Sequence, residues 1–184
     1  MGDDKKKYSV IAGGAGENRK VNGIAIEVSS SSTTPLHVDV RVFEEDTHLV
    51  LTVDPVIRYT EEHPIRLMTR IMETKPRIPG SVVVNDTNWY AVVHDLDAEP
   101  VCREEWIDSA YKESLILAEE KAVHRLGLPL LGTVHGQFSA INSLDLLIKN
   151  LSIRQFSNLQ KIVLLEKGSK VRGLKMILSQ TVQK

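Results

Sequence analysis

The segment Leu126-Gly127-Leu128-Pro129-Leu130-Leu131 is an almost unbroken apolar run, and it passes directly into Gly132-Thr133-Val134-His135-Gly136-Gln137-Phe138-Ser139. A run without alternation suits a central strand covered on both faces, where neither side of the pleat meets water. It is far shorter than the roughly 20 residues a membrane span needs. The small and polar residues after it predict a strand-end loop. The glycines at 132 and 136 permit tight turns and close backbone approach.

Working outward, the segment before this strand has helical spacing from about Arg103 to Lys121. Trp106, Ile107, Ala110, Tyr111, Ser114, Leu117 and Ala118 form its apolar stripe, and such a stripe buries against a sheet. Ahead of it, Ser81 to Val84 and Trp89 to His94 read as a hairpin about Asn85-Asp86-Thr87-Asn88. Beyond the loop, Leu144, Leu147, Ile148 and Leu151 mark a helix over about 142–151. Lys161 to Leu165 is a second buried strand. Val171, Leu174, Ile177 and Leu178 line one face of a last helix, introduced by Gly168-Ser169. Strand and helix alternating in this way predict right-handed crossovers and a parallel sheet.

The N-terminal third has a different texture. Tyr8 to Ile11, Gly23 to Val28, Leu36 to Phe43 and His48 to Val53 all read as strands. Val38, Val40 and Val42 share one face, with Asp39 and Arg41 on the other. The acidic stretch Glu44-Glu45-Asp46-Thr47 reads as the hairpin turn between the last two. Ile65, Met68, Ile71 and Met72 predict a helix that ends at Pro76 and Pro79-Gly80. The expected architecture is one α/β domain over residues 1–184, a three-layer α/β/α sheet with residues 1–60 as an N-terminal β elaboration.

Composition narrows the function classes. The chain has 184 residues, with 23 Lys and Arg against 24 Asp and Glu, so its net charge of −1 provides no global field for nucleic acid. A single cysteine, Cys102, excludes an internal disulfide and a cage of two or more cysteines around zinc. The charged start, Met1 to Lys7, followed by a short apolar run, does not read as a secretory leader, and a cytoplasmic setting is expected. No motif calls for a cofactor, a metal or a membrane.

Ligands of open α/β sheets lie beyond the carboxyl ends of the parallel strands. Two segments are predicted to reach that edge: His94-Asp95-Leu96-Asp97, and the loop Gly132 to Ser139. The free N–H groups of the loop form a candidate anion nest for a phosphate or diphosphate, with the helix dipole behind them. Against this stands the plain alternative that two glycines merely shape a turn. His94, Asp95, Asp97 and His135 are the residue types of general acid–base chemistry or of metal ligation; a turn cap at Asp97 and a hydrogen-bonded strand end at His94 are the structural alternative. Gly13-Gly14-Ala15-Gly16 lacks the Lys-Ser/Thr of a triphosphate loop and reads as a flexible turn. Arg66, Arg70, Lys75 and Arg77 read as a solvated helix face.

From Pro79-Gly80-Ser81-Val82-Val83 to the end, the order of these motifs resembles the macro domain family. The strand Tyr90-Ala91-Val92-Val93-His94, the helix segment Ala110 to Glu119 with its A-Y, S-L and L-A pairs, and Arg125 to Thr133 with its internal proline are similar to that family's pattern. The likeness covers roughly the last 60% of the chain. It implies an ADP-ribose-type nucleotide ligand, with Gly132, Thr133, Val134, His135, Gly136, Gln137 and Phe138 as the diphosphate-binding loop. This sequence departs from the family in two places. The Asn-Ala-Ala-Asn string with its glycine run is replaced by Asp54-Pro55-Val56-Ile57-Arg58-Tyr59-Thr60, and Val134-His135 stands where a glycine usually follows the threonine.

Three functions follow as expectations: a nucleotide- or phosphate-binding module; a structural or interaction protein with a degenerate site, self-associating as a homo-oligomer through the strand edges of its N-terminal region; and a hydrolase of a phosphate or ADP-ribose linkage. The last requires His94 and His135 to meet at one edge.

Overall fold

The computed structural model describes residues 19–33, 36–51 and 75–181. The strand expected over Tyr8 to Ile11, the turn Gly13 to Gly16, Arg66, Arg70 and their helix, and the Asp54 to Thr60 segment lie outside the described residues.

Among the described residues seven strands form one sheet in the order β1-β2-β7-β6-β3-β5-β4. They are β1 (Arg19–Val21), β2 (Ile24–Ser30), β3 (Val40–Asp46), β4 (Val82–Asn85), β5 (Asn88–His94), β6 (Arg125–Leu128) and β7 (Lys161–Glu166). The five inner strands run parallel, and the edge strands β1 and β4 are antiparallel to their neighbours. Among the described residues three helices accompany them: α1 (Glu104–Glu120), α2 (Ala140–Ser152) and, after a short 3-10 turn over Gly168–Lys170, α3 (Val171–Thr181). The α/β class read from the sequence is present, with β6 at the centre of the sheet.

Packing follows the periodicities. Trp89 to Val93 are buried on both faces of β5, as are Leu126 and Leu128 in β6 and Ile162 to Leu165 in β7. Ile107, Ala110, Tyr111, Leu115 and Ala118 carry α1 onto this core, and Leu144, Leu147 and Leu151 do the same for α2. Burying a large apolar side chain contributes about 1.5–3 kcal/mol each, so these strands and helix stripes hold the frame against which the loops are set.

One expectation is overturned. Glu44-Glu45-Asp46 is not a hairpin turn but the carboxyl-terminal end of β3, paired in parallel with Ala91, Val92 and His94 of β5 across a register shift. All three acids are buried. The residues after them turn rather than pair, with Leu49 in the left-handed region at φ 58°, so no strand forms over His48 to Leu51. Burial is tolerated because N–H groups meet the carboxylates. Asp46 accepts from the amides of His48 and Val50, and Glu45 from those of its neighbour Asp46 and of Leu51. Strand β3 is also not paired with β2. It sits between β6 and β5, inside the parallel sheet.

Candidate functional site

Strand β6 is short. It stops at Leu128, ahead of Pro129, while β3 continues to Asp46 and β7 to Glu166. A central strand that ends before its neighbours leaves a crevice at the carboxyl edge, the position where open α/β sheets take ligands. A cleft of about 230 Å³ occupies that place. Pro129, Thr133, Val134 and His135 form one wall, and Arg41, Phe43 and Glu44 of β3 another. Glu166, Lys167 and Lys170, at the turn leading into α3, close the rim. The guanidinium of Arg41 lies over the Phe43 ring at 4.6 Å, and Phe43 stacks on Tyr90 at 5.7 Å. Neither Lys167 nor Lys170 has an ion-pair partner among the described residues.

The loop after β6 closes on the protein itself. The Glu44 carboxylate, with none of its side chain exposed, accepts from the amide of Gly132 at 2.7 Å, of His135 at 2.9 Å and of Val134 at 3.3 Å. Its fourth donor is Nε2 of His94 at 2.6 Å. Each carboxylate oxygen thus receives two N–H groups, which fills its lone-pair directions. Burial by itself would lower the His94 pKa. Hydrogen bonds to the Cys102 and Glu44 side chains, with the charge of Glu44, override it and raise the value to about 9. At neutral pH His94 is an imidazolium that donates protons, not a base.

The two glycines of the loop serve this closure. At Gly132, φ is +83°, and a Cβ would stand 2.5 Å from Cδ1 of Ile107. At Gly136 a Cβ would meet the Gly132 carbonyl oxygen at 2.6 Å and Cε1 of His94 at 2.9 Å. Below the loop, a ring of hydrogen bonds holds its base. The Leu131 amide donates to the Tyr111 hydroxyl, which donates to Ser143, whose hydroxyl donates back to the Leu131 carbonyl. Burial pushes the Tyr111 phenol up, so it keeps the proton this ring requires.

The sequence-predicted residues are placed as follows. His94 and His135 meet at one edge, with rings 6.4 Å apart in an edge-on arrangement. His94 is buried and His135 is exposed. Asp95 and Asp97 lie on the turn after β5, where Oδ1 of Asp95 accepts from the Asp97 amide and Oδ2 of Asp97 stands 3.9 Å from Nε2 of His48. No metal-ligating cluster forms among the described residues. Thr133 donates its hydroxyl to the Leu130 carbonyl, and the Phe138 amide donates to the Gly132 carbonyl. Gln137 is exposed, and Phe138 packs on the core.

Glu44, Arg41, Lys167 and Lys170 escaped the sequence reading. A signal for Glu44 was present: it continues the even-numbered face of Val38, Val40 and Val42, so two more residues of alternation put its side chain inside. The lysines carried no such signal, because charged residues at a strand-to-helix turn are ordinary.

At the level of sequence, no family model and no curated protein matches the chain. Solved structures do match. A variant of the Oceanobacillus iheyensis macrodomain with ADPR is 17% identical, with a TM-score of 0.66 over 90% of this chain and 97% of that one. The macro domain of ganglioside induced differentiation associated protein 2 is 12% identical, with a TM-score of 0.60 over 88% of this chain and 85% of that one. The macrodomain of Thermus aquaticus DarG is 14% identical, with a TM-score of 0.55 over 76% and 97%. The chain therefore has the macrodomain fold. The likeness extends well beyond the C-terminal 60% on which the sequence resemblance rested, because β2 and β3 belong to the same sheet.

Proposed function

We propose that this chain is a macro-fold binding module for a phosphate-bearing nucleotide, taken up in the cleft beyond β6. ADP-ribose and ADP, both bound by the Oceanobacillus macrodomain, are the first candidates. The observation that carries the reading is the rim: Arg41, Lys167 and Lys170 stand around a crevice at the sheet's carboxyl edge. Cations converging on one crevice are what recognition of a phosphate needs. Thr133, Val134 and His135 of the loop wall this cleft, and the Gly132, Val134 and His135 amides are committed to Glu44.

Isothermal titration of the full chain with ADP-ribose, ADP and AMP tests the reading. Saturable heat with at least one of them is expected, and the Lys167→Ala/Lys170→Ala double variant should bind at least tenfold more weakly. No heat with any of the three at millimolar concentration ends it.

The internal occupation of the loop amides favours a second reading, a scaffold whose ligand site has been closed. Gel filtration of the full chain would show a homo-oligomer in that case, together with silent titrations. The hydrolase reading has the convergence of His94 and His135 in its favour, but His94 held as an imidazolium has no lone pair with which to activate water.

A further inference from the structure

A carboxylate that gathers three backbone amides and an imidazolium is doing what a bound phosphate oxygen does at such a loop. We propose that Glu44 is a resident anion occupying the loop cradle, and that it bars ligand phosphate from that cradle, so that the cleft takes nucleotides with one phosphate in preference to diphosphates.

Four donors converge on Glu44. Gly132, Val134, His135 and His94 all point their N–H groups at the one carboxylate. The amides of Thr133 and Phe138 are also spent, on the carbonyls of Leu130 and Gly132. The imidazolium of His94 balances the charge of Glu44, so the pair leaves no surplus positive charge at this end of the cleft. A second anion placed there would face a buried carboxylate that already holds the Gly132, Val134 and His135 amides and the His94 imidazolium.

The opposite end differs. Lys167 and Lys170 are exposed, and neither has an acidic partner among the described residues. The one phosphate the cleft can hold then belongs at this rim. A diphosphate would have to send its second phosphate toward Glu44. The preference for monophosphates rests on the proposed nucleotide-binding function; the occupation of the cradle does not.

The test compares AMP with ADP-ribose on the full chain, wild type against Glu44→Ala, by titration calorimetry. Its second arm is the melting temperature of both proteins with and without 50 mM formate or inorganic phosphate. Wild type should bind AMP at least as tightly as ADP-ribose. Glu44→Ala should shift the ratio at least tenfold toward ADP-ribose, and formate or phosphate should raise its melting temperature by several degrees more than that of wild type, since the rim lysines are the same in both proteins. Wild type binding ADP-ribose tenfold more tightly than AMP would overturn the proposal. If no nucleotide binds wild type, the proposed function fails, and the anion arm decides the cradle alone: a Glu44→Ala protein stabilised by formate and phosphate no more than wild type overturns it, and one stabilised more supports it. Should Glu44→Ala not fold, Glu44→Ser, which also empties the cradle, replaces it in both arms, with the same direction of shift expected and an unchanged ratio counting against the proposal.

Discussion

At the amino-terminal edge of the sheet, Glu119 accepts from the amides of Ser157, Asn158 and Leu159 just before β7, and Asp39 accepts from those of His124 and Arg125 at the start of β6. At the carboxyl edge, Glu44 accepts from Gly132, Val134 and His135. The device is the same at both ends: a carboxylate gathers the orphan N–H groups of a turn. The surroundings are not. Asp39 is exposed and Glu119 half-buried, and water can replace either one. Glu44 has no exposed side-chain surface and depends on the imidazolium of His94. A buried carboxylate without its partner costs far more than a wetted one, so the same bond pattern means a turn clip at one edge and an internal keystone at the other.

The difference can be broken at its strongest point first. Glu44→Ala should destabilise the chain by about 3–5 kcal/mol, since it strands a buried imidazolium and three amides. Urea denaturation measures this, and a loss below about 1 kcal/mol would mean that the loop finds other acceptors. Next comes pH. His94 has a folded pKa of about 9 against an ordinary value of 6.5. Its stabilisation is therefore complete below pH 6.5 and lost as pH rises through about 9, by an amount on the order of 3 kcal/mol. Unfolding curves at intervals from pH 6 to pH 10 should show this decline, and His94→Gln should flatten it.

A smaller effect is expected at the base of the loop. Tyr111→Phe opens the ring through Leu131 and Ser143, and should cost about 1–3 kcal/mol with the secondary structure unchanged by circular dichroism. The smallest belongs to the amino-terminal edge. Burial of Glu119 would raise its pKa slightly, but the three amides hold it below the usual carboxylate value. Because the group is wetted, Glu119→Gln should lower the melting temperature by no more than a few degrees. A loss equal to that of Glu44→Ala would erase the contrast between the two edges.

The frame was legible because periodicity is a local property. The stripe from Ile107 to Ala118, the inward leucines of α2 and the apolar β7 each declare themselves within a dozen residues. The acidic end of β3 did not, because local chemistry misleads there: three consecutive acids resemble a solvated turn, and while Glu45 and Asp46 take amides of the residues just after them, Glu44 is buried only because donors arrive from elsewhere in the chain. Its alternation extended to Glu44, but a carboxylate is expected inside only once its partners are known. The glycines of the loop were correctly read as allowing close backbone approach. What approaches them in the fold is His94, Ile107 and Phe138.

The alternation of strands and helices in the C-terminal half, the helix positions and the place of a crevice at the carboxyl edge are thus properties of the sequence alone, carried by side-chain patterns that repeat over one or two turns; the order of the strands in the sheet is not, since β3 is inserted between β6 and β5. Which residues own the amides of the strand-end loop was decided only by tertiary structure. Glu44 stands 88 to 91 residues away from the N–H groups it holds, and His94 another 50 from Glu44. A contact across that separation exists only after the parallel sheet has brought the ends of β3, β5 and β6 to one edge, and no local pattern can encode it.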